Sequence, residues 1–144
     1  GNHGGRIDCG AVDVAYVPAW HSSSTIIDGV PLYLGNPAGA VIHPKTSGDP
    51  VVLHMGDTDI FSDMGLINVV HKPSVGFVPI GDRFTMGGEL AAKACRDYFG
   101  FKTAIPVHYG TFPIIDPDAS RFEKAMEGSG TEVLVPEIGT PFQL

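Results

Sequence analysis

Apolar positions in the first half of this chain fall in short runs cut by Gly, Pro, Ser and Asp clusters, a pattern of strands and tight turns. The runs predict strands over Gly10 to Val17, Pro31 to Leu34, Ala38 to His43 and Val51 to Met55, paired antiparallel. Beyond Asp59 the pattern changes to helix alternating with strand. A helix is predicted from Phe61 to about Val70, a strand over Val75 to Ile80, and an Ala-rich helix from about Gly88 to Phe99. On that second helix Leu90, Ala91, Ala94, Cys95 and Tyr98 share one face. A strand over Thr103 to Val107 follows. Asp116 is then expected to cap a helix whose first residue is Pro117, with Phe122 and Met126 one turn apart on its buried side. Gly128 or Gly130 ends that helix, and Thr131 to Val135 closes the chain with a last strand.

The class implied is α/β, a mixed sheet with helices on one face. Such a sheet leaves its other apolar face in need of cover, so the chain reads as one layer of a larger sandwich.

Composition narrows the function classes. The chain has 144 residues with 43% hydrophobic content, the size and make-up of one globular domain. A net charge of -7 argues against nucleic acid or an anionic membrane as main partner, because both demand basic patches. No apolar stretch approaches the roughly 20 residues that span a bilayer, and the expected location is the cytoplasm. Cys9 and Cys95 are read as buried thiols in that reducing compartment.

Three residues able to bind a metal each stand just past a predicted strand: His21 in Trp20-His21-Ser22-Ser23-Ser24, Asp57 in Gly56-Asp57-Thr58, and His108 in Val107-His108-Tyr109-Gly110. Strand ends on a packed scaffold are where rigid ligands converge. Taken singly, each has a plainer role: a surface histidine, a turn aspartate, a core-satisfying histidine. Jointly they form a mixed N/O set that suits Zn²⁺, Mn²⁺, Fe²⁺ or Ni²⁺. The serines after His21 lack a Gly-x-Ser-x-Gly elbow, which favours capping and turn roles over nucleophilic ones. Asp59 is expected to start the next helix. His54 lies inside a strand with side-chain parity opposite to Asp57, so a core or ligand-supporting place is expected. His43 and His71 precede proline-containing turns and read as solvated, and His3 lies in a glycine-rich terminus.

Several segments in order, Pro18-Ala19-Trp20-His21-Ser22-Ser23-Ser24, Gly35-Asn36-Pro37-Ala38-Gly39, His54-Met55-Gly56-Asp57-Thr58, Pro79-Ile80-Gly81-Asp82-Arg83-Phe84-Thr85-Met86-Gly87 and Pro106-Val107-His108-Tyr109-Gly110-Thr111-Phe112-Pro113, carry a resemblance across nearly the whole chain. It resembles the C-terminal half of a metallo-β-lactamase-fold hydrolase, in the uncharacterised metal-dependent hydrolase family related to ascorbate-6-phosphate lactonase. The resemblance implies an αββα sandwich with a dinuclear site of two divalent metal ions, zinc first among them, with Mn, Fe or Ni as alternatives. By position His21 would complete the first metal site, Asp57 would bridge both metals and act in catalysis, and His108 would bind the second metal. The family's first metal motif, His-x-His-x-Asp-His, is absent from this sequence. The expected partners are therefore the N-terminal half of the same fold, as a separate or cleaved chain, a homo-oligomer of the complete domain, and a small-molecule substrate.

The activity implied is attack by a metal-activated hydroxide on an ester, a lactone or a phosphodiester. Arg83 would engage an anionic substrate or form a surface ion pair. Asp82 would support the ligands, Met86 would line the pocket, and Tyr109 stands beside His108. The non-enzymatic alternative is a half-domain or degenerate binding module that scaffolds a partner chain. Gly1-Asn2-His3 and Gly56-Asp57 also echo calcineurin-like phosphoesterase motifs, but in the reverse order.

Overall fold

The computed structural model describes residues 1–144. The strands are β1 (Arg6–Asp8), β2 (Val12–Pro18), β3 (Ser24–Ile27), β4 (Val30–Tyr33), β5 (Ala38–Pro44), β6 (Val52–His54), β7 (Val75–Pro79), β8 (Thr103–Val107) and β9 (Glu132–Val133). The helices are α1 (Met64–His71), α2 (Gly88–Tyr98) and α3 (Ser120–Met126). Seven strands form one sheet in the order β1-β2-β5-β6-β7-β8-β9, while β3 and β4 make a separate hairpin.

Pairing changes from antiparallel to parallel along the sheet, as the sequence pattern predicts. β1, β2, β5 and β6 pair antiparallel, with the β3–β4 hairpin lying in the connection between β2 and β5. From β6 to β9 each pair is parallel, with α1, α2 and α3 as the crossovers that parallel neighbours require. The C-terminal ends of β6, β7 and β8 therefore share one rim.

Side-chain alternation sends Ala15, Val17, Val41, Leu53, Val78 and Ala104 to one face, where they pack with Met64 and Ile67 of α1, Ala91, Ala94 and Cys95 of α2, and Phe122 and Met126 of α3. The alanines of α2 let the helix lie close to the sheet. Residues of the opposite parity, Val14, Tyr16, Ala40, Ile42, Val52 and Phe77, are only half-buried, and His54 is exposed. The C-terminal segment borders part of this second face, where Ile138 and Phe142 line an open cleft together with Phe77, Ile105 and Val107. No helix is long and apolar enough to cross a membrane.

Several expectations need correction. The helix expected from Asp59 begins at Met64 with Asp63 as its N-cap, because Asp59 caps only Ile60, through its Oδ1 at 2.7 Å. The helix expected at Pro117 begins at Ser120, and Asp116 is held by Arg121 instead of serving as its cap. Strands β1 and β3 are additional to the predicted set: β1 pairs with β2, and Asp28 (φ 52) and Gly29 (φ 78) turn β3 back into β4. Cys95 is buried as expected, whereas Cys9 is exposed in the β1–β2 connection. Burial pushes the Cys95 thiol up to about 12, so it is unreactive. His43 and His71 are half-buried against each other, Nε2 to Nδ1 at 3.0 Å, at the end of the strands away from the rim.

Candidate metal centre

Asp57 stands on a turn that only glycine can make. Met55 extends the ladder by donating to the Phe77 carbonyl at 3.1 Å. Gly56 then takes φ 70 and passes so close to the Ala38 carbonyl that a Cβ would lie 2.7 Å from it. The Gly56 N–H donates to His54 Nδ1 at 3.0 Å, and the His54 ring stacks on Phe77. His54 therefore supports the turn from an exposed position and is not a core residue.

His108 leaves the end of β8 in a left-handed backbone conformation, φ 60, which is strained for a residue with a Cβ. The strain is held by its neighbours. Gly81 presses on the histidine, Gly110 donates to the Asp116 carbonyl at 2.8 Å, and Asp116 donates to the Gly81 carbonyl at 2.8 Å. This posture brings His108 Nε2 to 3.6 Å from Asp57 Oδ2. At that distance the two face each other without a hydrogen bond. The other ring nitrogen, Nδ1, is buried with no partner. An imidazole nitrogen and a carboxylate oxygen facing each other across a gap fit two ligands of a divalent metal.

His21 stands apart from that pair. It is exposed, and its Nδ1 lies 2.8 Å from the Ser22 carbonyl oxygen. A carbonyl only accepts, so Nδ1 is the donor and Nε2 keeps the free lone pair. This is the usual way that a ligand imidazole has its tautomer set. His21 opens into a cleft of about 530 Å³ shared with His3, Trp20 and Asn36. His108 opens into another, of about 320 Å³, with Tyr109 and Thr111. No group of three or more His, Cys, Asp or Glu side chains comes together at metal-holding distance within this chain.

A residue outside the predicted set joins the rim. Thr58 is buried, with 1% exposure. Its Oγ1 accepts from the Trp20 N–H at 2.9 Å and donates to the Asp59 carbonyl at 2.8 Å. Its carbonyl accepts from the Met86 N–H at 3.3 Å, and Asp59 donates back to Trp20 at 3.1 Å. The loops bearing His21, Asp57 and Arg83 are thereby tied at one threonine. The sequence offers a faint cue, since Thr58 directly follows the Gly-Asp turn, but its partners lie 38 and 28 positions away on other loops.

Arg121 is the second such residue. Its guanidinium meets both Asp116 oxygens at 3.0 and 2.9 Å, Glu89 Oε2 at 2.8 Å and Asp82 Oδ2 at 3.4 Å. Glu89, then Asp116, raise the guanidinium above its ordinary range, and Arg121 in return lowers Glu89. Asp82 is thus paired with Arg121. Met86, expected to line the pocket, is a core side chain at 1% exposure; its part in the rim is its N–H. Tyr109 is half-buried, and burial, then Glu123 and Asp118, raises its phenol, which stays neutral.

No protein-family model matches the chain. It is 56% identical over 144 residues, all of this chain and 61% of the relative, to a UPF0173 metal-dependent hydrolase of Chelativorans sp.. The chain thus spans about three-fifths of the length of the curated relatives it matches. Among solved structures, Igni18, a metallo hydrolase from Ignicoccus hospitalis, superposes with TM-score 0.80 and 34% identity, covering 97% of this chain and 57% of that one. The metallo-β-lactamase fold protein YhfI of Bacillus subtilis shares the fold at TM-score 0.65 and 12% identity, over 94% of this chain and 51% of its own.

Proposed function

We propose that this chain, a homologue of the UPF0173 metal-dependent hydrolases with metallo-β-lactamase-fold structural neighbours, supplies part of the metal centre of a hydrolase acting on an ester, a lactone or a phosphodiester. The observation that carries the reading is the Asp57–His108 pair, Nε2 to Oδ2 at 3.6 Å across the ends of β6 and β8. Asp57, His108 and His21 would hold two divalent metal ions, zinc by preference, together with ligands from a preceding half of the fold. Metal bound there would supply Lewis-acid polarisation and a water acidic enough to attack at neutral pH.

The chain's own residues prepare that site. Gly56 aims the Asp57 carboxylate, Gly81 and Asp116 hold His108 in its strained posture, and Ser22 fixes the His21 tautomer. The half-exposed sheet face around Val14, Tyr16, Ile42 and Val52 supports docking of an N-terminal half, since apolar area of this kind favours burial by about 25 cal/mol per Å².

One observation favours the non-enzymatic alternative, a half-domain that scaffolds a partner: no three ligands cluster within this chain. Metal analysis of the full-length protein that carries this chain separates the readings. The hydrolase reading expects about two metals per complete domain and loss of ester, lactone or phosphodiester hydrolysis in His108→Ala. A metal-free protein, or one indifferent to that change, supports the scaffold.

A further inference from the structure

The turn Asp82–Thr85 stands between the two halves of the candidate pair. On one side, Gly81 packs on His108, and Ile80 donates to the Val107 carbonyl at 3.0 Å. On the other, the Met86 N–H reaches the Thr58 carbonyl, next in sequence to Asp57. Its base is closed by an antiparallel bridge between Gly81 and Gly87 and by the Asp82 N–H donating to the Met86 carbonyl at 3.1 Å. Two successive non-glycine residues at its tip, Asp82 (φ 61) and Arg83 (φ 53), are left-handed. That conformation is costly and persists only where the surroundings impose it.

Arg83 is the uncommitted charge of this rim. Arg121 is saturated by Asp116, Glu89 and Asp82. The Asp82 carboxylate, the nearest anion in sequence, accepts the Arg83 backbone N–H at 2.7 Å and leans on Arg121. The Arg83 side chain is exposed and enters none of the ion pairs of the molecule, with only the Phe84 ring beside it, 5.9 Å away. A guanidinium presents a planar fork of donors that matches the oxygens of a carboxylate or a phosphate.

We infer that Arg83 is a specificity-determining residue that binds an oxyanionic group, carboxylate or phosphate, on the substrate, at a point away from the bond that reacts. The catalytic part rests on the hydrolase reading above; the binding part does not.

Two measurements on the full-length protein carrying this chain test it. In the first, inorganic phosphate and succinate are titrated calorimetrically into the metal-free protein and its Arg83→Gln variant. Binding by the wild type that weakens roughly 10- to 100-fold in the variant is expected, and the tighter of the two ligands identifies the oxyanion. Absence of binding, or equal binding by both proteins, overturns the inference. In the second, the metal-loaded proteins hydrolyse mono-p-nitrophenyl succinate and p-nitrophenyl butyrate. The ratio of kcat/KM for the charged over the neutral ester should fall at least about 10-fold in Arg83→Gln, with partial recovery in Arg83→Lys. An unchanged ratio overturns the inference. Should the wild type cleave neither ester, the hydrolase reading fails for such substrates, and the titration alone decides on Arg83.

Discussion

Gly81 leaves no room for a side chain beside His108: a Cβ there would stand 2.0 Å from the His108 carbonyl oxygen and 2.8 Å from its Nδ1. The contact joins the ends of neighbouring parallel strands, β7 and β8, and explains how a histidine is kept at φ 60. Gly81→Ala must displace His108. The expected cost is about 1–3 kcal/mol of stability, from forced backbone shifts, together with weakened metal binding. Denaturant unfolding and metal titration of the variant check this, and a variant equal to wild type in both would show that the contact does not hold the histidine.

Thr58 gives a second prediction. Replacing its hydroxyl by a methyl in Thr58→Val leaves the Trp20 N–H without its acceptor inside the rim. A loss of about 1–3 kcal/mol is expected, with Thr58→Ser close to wild type. Trp20 is the sole tryptophan of these 144 residues, so the fluorescence of this chain on its own reports on the loop that carries His21. The emission of Thr58→Val should differ from that of Thr58→Ser; identical spectra would contradict the knot.

The His43–His71 pair makes stability depend on pH. Burial, first, and nearby Arg6 lower both imidazoles, and Asp13 opposes this at His43. The Nε2 to Nδ1 contact needs one ring to donate and the other to accept, so it is lost when both are charged. Folded-state values below the unfolded value of about 6.5 mean that the unfolded chain takes up protons first. Stability therefore falls as pH drops through about 6.5 and levels off only after the folded pair titrates. Urea midpoints between pH 7.5 and 5.5 should fall more steeply for wild type than for His71→Gln. Parallel slopes would contradict the assignment.

Much of this architecture was legible in the sequence, and the exceptions have physical causes. β5, β7, β8 and α2 lie within a residue or two of the predicted ranges because Gly and Pro bound their apolar runs. Strands β1 and β3 lie outside the predicted ranges, although Asp28-Gly29 is a hairpin signal in its own right that marks the end of β3. Asp116-Pro117 has the form of a helix start, but Arg121 and Gly81 take Asp116, and Asp118 receives the Ser120 N–H at 2.9 Å where α3 begins. Asp57 and His108 could be picked out by their place after strands, and the structure brings them together. Thr58, Gly81 and Arg121 act across loops distant in sequence, and periodicity carries no trace of such contacts.

The central claim is that Asp57 and His108 hold a divalent metal. It is tested most directly by zinc titration of the full-length protein carrying this chain, after chelator treatment, alongside Asp57→Asn and His108→Ala, with X-ray absorption reading the ligands. The account predicts tight binding by the wild type with imidazole nitrogen in the coordination shell, and loss of at least one equivalent in each variant. Equal stoichiometry and affinity in all three proteins would contradict it.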